Sequence, residues 1–181
     1  YVVDALSGAL VAELPRTPAL TTTMVNATDE LGATRRIGIV KEGTRQRLQD
    51  LELNTETFDF EFRDPDVNNA RLPGRSITAP PPFSTASVSA HANAAEVARF
   101  MRNVLKRNNI DNKGGKLISV INAVVKADSP DGKQWFNAFW DSKQMVYGQT
   151  SYDGKLRSLA SSLDVVAHEF FHGVTENTAQ L

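Results

Sequence analysis

No cysteine occurs among the 181 residues. That excludes a disulfide scaffold and any thiolate-rich zinc site, and leaves imidazole and carboxylate as the available metal ligands. It says nothing against secretion, since a chain of this length can build a sufficient core without disulfides. Long apolar runs are missing too: no stretch approaches the ~20 residues of a membrane-spanning helix. Neither charge sign dominates. Twenty Lys and Arg against 21 Asp and Glu leave a net charge of −1, which gives no pull toward nucleic acid or an anionic membrane. No signal peptide is visible and the first residue is Tyr1 rather than Met, so the chain reads as a piece of a longer precursor. What is present is ordinary for a folded domain, with 41% hydrophobic and 23% charged residues. Histidine is scarce, with three in all.

Two of those three histidines fall in one stretch, Asp164-Val165-Val166-Ala167-His168-Glu169-Phe170-Phe171-His172. Residues i and i+4 lie one above the other on a helix face, so His168 and His172 can reach a single Zn²⁺. Glu169 follows the first ligand directly and is placed to act as general base toward a water at that ion. A structural helix with two incidental histidines is the plain alternative. The apolar body around the triplet (Val165, Val166, Ala167, Phe170, Phe171, Val174) argues against it, because two imidazoles and a carboxylate are costly there unless something satisfies them.

The stretch from Asp164 to Ala179 resembles the active-site helix of the thermolysin family of secreted zinc endopeptidases. A second segment agrees: Asn137-Ala138-Phe139-Trp140 followed by Met145-Val146-Tyr147-Gly148 is similar to the edge strand and hairpin facing that helix. The resemblance implies an α+β fold, a strand-rich layer with one packing helix and the catalytic helix last. It implies zinc held by His168 and His172, Glu169 as base, and a peptide substrate held along Asn137, Ala138 and Trp140. It also makes Asp164 a calcium ligand, although an anion near a helix N-terminus is favourable with no metal. The third zinc ligand and the oxyanion-stabilising histidine and tyrosine would lie beyond Leu181, on a C-terminal domain. On that reading this chain is an inactive portion of a secreted protease, exposing a helix face that its second domain covers. The rival reading is a prodomain-like inhibitor or binding module with a relic motif. Retention of Glu169 beside both histidines argues for the enzyme.

Earlier in the chain, Tyr1–Ala5 and Ala9–Ala12 read as a hairpin turning at Ser7-Gly8. It is either an edge hairpin of the main domain or, by resemblance, the end of a pro-region covering 1–14. Residues 15–32, proline-broken and then polar with little periodicity, read as a linker, with the maturation cut expected between Pro15 and Thr34 and the catalytic part running over 33–181. Arg35–Val40 and Thr55–Phe62 are strand-like, and the latter alternates Phe58, Phe60 and Phe62 with acids. Asp64–Asn69 reads as a solvated turn without EF-hand spacing. Arg71–Pro82, with four prolines, is expected to be irregular. Ser89–Asn109 has helical spacing, with His91 as a surface or capping residue and Asn112–Gly115 closing the helix. By resemblance Ser89 stands where the family has Asp, which puts that residue's polar role in question. Lys116–Lys126 is a strand. Gln134–Trp140 and Gln144–Gly148 form a hairpin whose open edge would accept an extended peptide.

Overall fold

The computed structural model describes residues 2–12, 20–67, 70–79 and 82–179. Its strands, in chain order, are β1 (Val2–Val3), β2 (Leu10–Ala12), β3 (Thr22–Thr28), β4 (Thr34–Glu42), β5 (Arg45–Arg47), β6 (Gln49–Asp50), β7 (Thr55–Arg63), β8 (Arg75–Ser76) and β9 (Thr78–Ala79). Helix α1 (Thr85–Asn103) follows, then β10 (Leu117–Ala123), β11 (Trp135–Trp140), β12 (Met145–Tyr152), β13 (Lys155–Ser158) and helix α2 (Leu163–Ala179). The architecture is α+β.

The larger sheet runs β11-β12-β10-β7-β6, with β13 on β12 and β8 on β7. β7 and β10 are parallel, and α1 supplies the crossover that parallel neighbours require. The smaller sheet runs β3-β4-β5-β9. Alanine makes this arrangement possible. Ala90, Ala92, Ala94, Ala95 and Ala98 of α1 are all buried, and their short side chains let both sheets and α2 close on one helix. One core lies between α1, α2 and the larger sheet (Met101, Leu117, Ile121, Met145, Tyr147, Val166, Phe170). A second joins α1 to the smaller sheet through Ile37, Ile39, Leu48, Phe83 and Val88. A third covers the far face of the larger sheet, with Phe60, Val120, Trp135 and Val146 at its centre.

Several sequence expectations need correction. Thr21–Leu31 is not a linker: β3 pairs with β4 along its whole length, from Thr22↔Val40 to Thr28↔Thr34. Met24, Asn26 and Thr28 face outward while Val25 and Ala27 join the core, a weak alternation that tertiary packing completes. The proline segment expected within 15–32 lies largely outside the described residues. Arg71–Pro82 carries two short strands, β8 bonding to the larger sheet and β9 to the smaller, where edge positions tolerate nearby proline.

The helix expected over Ser89–Asn109 begins and ends earlier. The Ser84 hydroxyl accepts from Ser87 N–H as N-cap, so a small polar first turn hides the true start from any apolar periodicity. At the other end Lys106 takes a left-handed conformation (φ 54°) and Arg107 N–H donates back to Met101 O at 2.9 Å. The chain has left the helix long before Asn112–Gly115, which instead forms a loop around Asp111. β10 is likewise shorter than expected, with a 3₁₀ turn at Lys126–Asp128.

His91 is neither at the surface nor a cap. It is fully buried, its Nε2 2.9 Å from Gly38 O and its Nδ1 2.9 Å from Thr57 Oγ1. The carbonyl can only accept, so Nε2 carries the proton and Nδ1 accepts from the Thr57 hydroxyl. This histidine ties α1 to both sheets. Ser89 does have a polar role, its Oγ accepting from Glu30 N–H at 2.9 Å.

Candidate metal centre and active site

Helix α2 buries one seam and exposes the other. Val166 and Phe170 are fully buried against α1 and the larger sheet, while His168 and His172 remain exposed on the adjoining face. Their Nε2 atoms stand 2.9 Å apart and their rings meet edge to face. One turn of helix therefore aims two nitrogen donors at a common point. Two nitrogens bound to one tetrahedral zinc at roughly 2.0–2.1 Å each stand about 3.4 Å apart, so small rotamer adjustments fit the pair to an ion. Among the described residues no group of three His, Cys, Asp or Glu side chains forms a fuller cage.

Glu169 is only 6% exposed although His168, which precedes it, is open to solvent. It lies between two concavities. One, of about 420 Å³, is lined by Ala138, Phe139, Trp140, His168, Glu169, His172, Thr175 and Glu176. The other, of about 510 Å³, includes Phe136, Asn137, Leu159, Asp164 and Val165, and shares His168 and Glu169. The carboxylate thus forms the saddle of a continuous cleft. Behind it, the Tyr147 hydroxyl is buried beside the Ser119 hydroxyl. Burial pushes the Tyr147 phenol well above the ordinary phenol range, and the Glu169 charge adds to this.

The opposite wall is β11. A bulge between Trp135 and Ala138 leaves Phe136 77% exposed and turns Asn137 outward. Asn137 Oδ1 accepts from Ala138 N–H at 2.9 Å, so its own amide nitrogen stays available. The bulge is possible because Gly148 lies beneath it: a Cβ there would sit 2.0 Å from Trp135 O and 2.9 Å from Asn137 O. Among the described residues no strand pairs with the outer edge of β11. Trp140 completes the wall. Its ring lies over Gly173, and its Nε1 donates to Glu176 Oε2 at 2.5 Å, which holds that carboxylate below the usual range.

Asp164 is exposed at the start of α2. The Ser162 hydroxyl donates to its carboxylate, and with the Val165 N–H lowers its pKa. These contacts explain its place as an N-terminal anion.

The family described as the thermolysin metallopeptidase catalytic domain matches residues 24–176. The chain belongs to the thermolysin metallopeptidase family. It is 35% identical over 188 aligned residues to bacillolysin from Bacillus subtilis (strain 168), covering 99% of this chain and 33% of that protein. Neutral protease NprE from Bacillus pumilus is 38% identical over 158 residues, 83% of this chain and 48% of its own. Among solved structures, the precursor of protealysin, a metalloproteinase from Serratia proteamaculans, superposes with a TM-score of 0.54 at 26% identity, over 70% of this chain and 36% of that one. The chain therefore spans about a third to a half of the relatives it matches. The match to the thermolysin family begins in β3, downstream of the β1–β2 hairpin.

The residues named from sequence do meet: His168, Glu169 and His172 share the cleft with Ala138 and Trp140 on one side and Asn137 and Asp164 on the other. Glu176 was missed, although its signal was legible. It lies one further i+4 step past His172, on the same helix face. Gly148 and Gly173 carried no such signal, because what crowds them comes from other elements.

Proposed function

We propose that this chain is the zinc-binding, N-terminal half of a secreted endopeptidase, in which His168 and His172 hold the ion and Glu169 is the general base. The observation that carries the proposal is the convergence of two Nε2 atoms beside a nearly buried carboxylate, in a cleft with one open strand edge. The chemistry that a zinc ion supplies is Lewis-acid activation of water and of a peptide carbonyl. Glu169 takes a proton from the attacking water at a carboxylate oxygen and returns it to the departing amine nitrogen. β11 binds substrate backbone as an added strand, using Ala138 and the free amide of Asn137. Concavities on both sides of Glu169 then receive alternate side chains. The family resemblance supports cleavage on the amino side of a hydrophobic residue, and Phe136, Leu159 and Val165 give one of these concavities an apolar side to receive it.

The third zinc ligand is proposed to come from a further domain of the complete protein. Phe171 and Leu163, exposed on α2, belong to the surface it would cover. Asp164 is proposed as a calcium ligand only in that complete setting. The hairpin β1–β2 pairs with itself and exposes Leu6, Leu10 and Val11. We read it as the end of a pro-region. Since β3 is integral to the smaller sheet, the maturation cut belongs upstream of Thr22. N-terminal sequencing of the mature secreted enzyme checks this, and a start within β3 or after it refutes it.

The deciding experiment measures zinc content and peptide hydrolysis of the full-length protein beside Glu169→Ala. Stoichiometric zinc in both, with hydrolysis lost only in the variant, is the expected result. Absence of zinc and of cleavage in the parent overturns the reading.

A further inference from the structure

The carbonyls of Ala160 and Ser161 lie immediately before α2, whose ladder begins with Val166 N–H donating to Ser162 O. They therefore have no partner within the helix, and buried carbonyls require one. Asn93 of α1, itself buried, supplies it. Its Nδ2 donates to Ala160 O at 2.9 Å and to Ser161 O at 3.2 Å. The other end of the amide is fixed by Arg35, whose Nη1 and Nη2 both donate to Asn93 Oδ1 at 3.2 Å. A guanidinium can only donate, so the amide has one permitted orientation, oxygen to Arg35 and nitrogen to the two carbonyls. Arg35 is held in turn by the buried Asp29 at 3.2 Å. Asp29 also ties its own turn by accepting from Leu31 and Ala33 N–H. A parallel strap runs beside this line: Glu30 accepts from Ser158 N–H through Oε2 and from Arg157 through its carbonyl.

We infer that Asn93 and Arg35, which line neither half of the cleft, are positioning residues for the wall carried by Leu159 and for the entry of the zinc-binding helix. This rests on the endopeptidase reading above. Leu159 is the residue before Ala160, and it lines the concavity that holds His168 and Glu169. Its distance from the histidine pair is set by where the Ala160 and Ser161 carbonyls are anchored. The turn Asp29–Ala33, more than a hundred residues upstream of the motif, thereby sets the depth of a substrate pocket. Asparagine is suited to position 93 because the site needs an acceptor and two donors on one short, rigid group.

The test uses the full-length protein with two variants. Asn93→Asp keeps the shape and the acceptor for Arg35, but turns an oxygen toward two carbonyl oxygens. Arg35→Lys keeps the charge beside Asp29 and loses the fork. The first readout, independent of catalysis, is amide hydrogen exchange. Residues 158–166 should exchange faster in Asn93→Asp while β7 and β10 keep their protection. The second is selectivity between peptides carrying leucine or alanine at the residue that enters the Leu159 concavity. It should fall roughly tenfold, mostly through KM for the leucine peptide, as expected when a hydrophobic pocket loses its fit. Arg35→Lys should show the same pattern at smaller amplitude. Unchanged exchange at 158–166 overturns the tether. Faster exchange with unchanged selectivity in an active enzyme overturns the pocket role, as does an equal loss of kcat on every substrate. If the parent binds zinc and cuts nothing, the endopeptidase reading fails, and the exchange measurement still decides whether the tether holds the segment.

Discussion

Gly148→Ala is a demanding test of how the cleft wall is built. Gly148 does not have a left-handed φ, so space alone limits what can stand there. A Cβ there would meet Trp135 O at 2.0 Å, Trp135 Cε3 at 2.7 Å and Asn137 O at 2.9 Å. Two of these three atoms are backbone, so no rotamer change relieves the contact, and the bulge of β11 must lift by about an ångström. Overpacking of this kind costs about 1–3 kcal/mol. Lifting also disturbs the pairs Trp135↔Gln149 and Ala138↔Tyr147, half of the four that hold β11. At about 1 kcal/mol net for each hydrogen bond lost, the total is about 3–5 kcal/mol. For a chain of this size that corresponds to a Tm lowered by roughly 6–20 °C. Gly154→Ala is the control. Gly154 has φ +70° and nothing within 4 Å of the added methyl, so only conformational strain of about 1–2 kcal/mol applies. Calorimetric or fluorescence melts of the two variants check the difference. A Gly148→Ala Tm within 2 °C of the parent, or above that of Gly154→Ala, refutes the account of the bulge.

The buried His91 makes stability depend on pH. Burial lowers its folded pKa below the ordinary 6.5, against the opposing pull of the Gly38 carbonyl, Asp50 and Glu56. The unfolded chain therefore binds the proton more readily. The stabilisation is fully present above about pH 6.5 and is lost as pH falls from there through the folded pKa. Urea midpoints should drop between pH 7.5 and 5.5 in the parent and change less in His91→Gln; equal slopes would sink the assignment. The two phenylalanines of α2 separate its faces. Phe170→Ala should cost about 3–5 kcal/mol as a core truncation, while Phe171→Ala, at an exposed position, should cost under about 1 kcal/mol. Comparable losses in urea titrations would mean that the helix is rotated from the orientation described.

The placement of the candidate site residues was legible in the sequence because it is local. His168, Glu169 and His172 are placed by the pitch of a single helix, and the 3.6-residue period needs no tertiary information. The β11–β12 hairpin was legible for the same reason, its strands and turn being contiguous. What failed depended on distant partners. Thr22–Thr28 looked like linker because its strand character comes from β4 and from the core beneath Val25 and Ala27. His91 looked like a surface residue because Gly38 and Thr57, which satisfy its two nitrogens, lie 53 and 34 residues away. The clamp through Asp29, Arg35 and Asn93 was invisible for the same reason, as was the requirement for glycine at 148. A sequence displays the groups that a site offers. Which buried donor meets which acceptor depends on elements brought together only by the packing of α1 between two sheets, and here that packing decided everything around the motif.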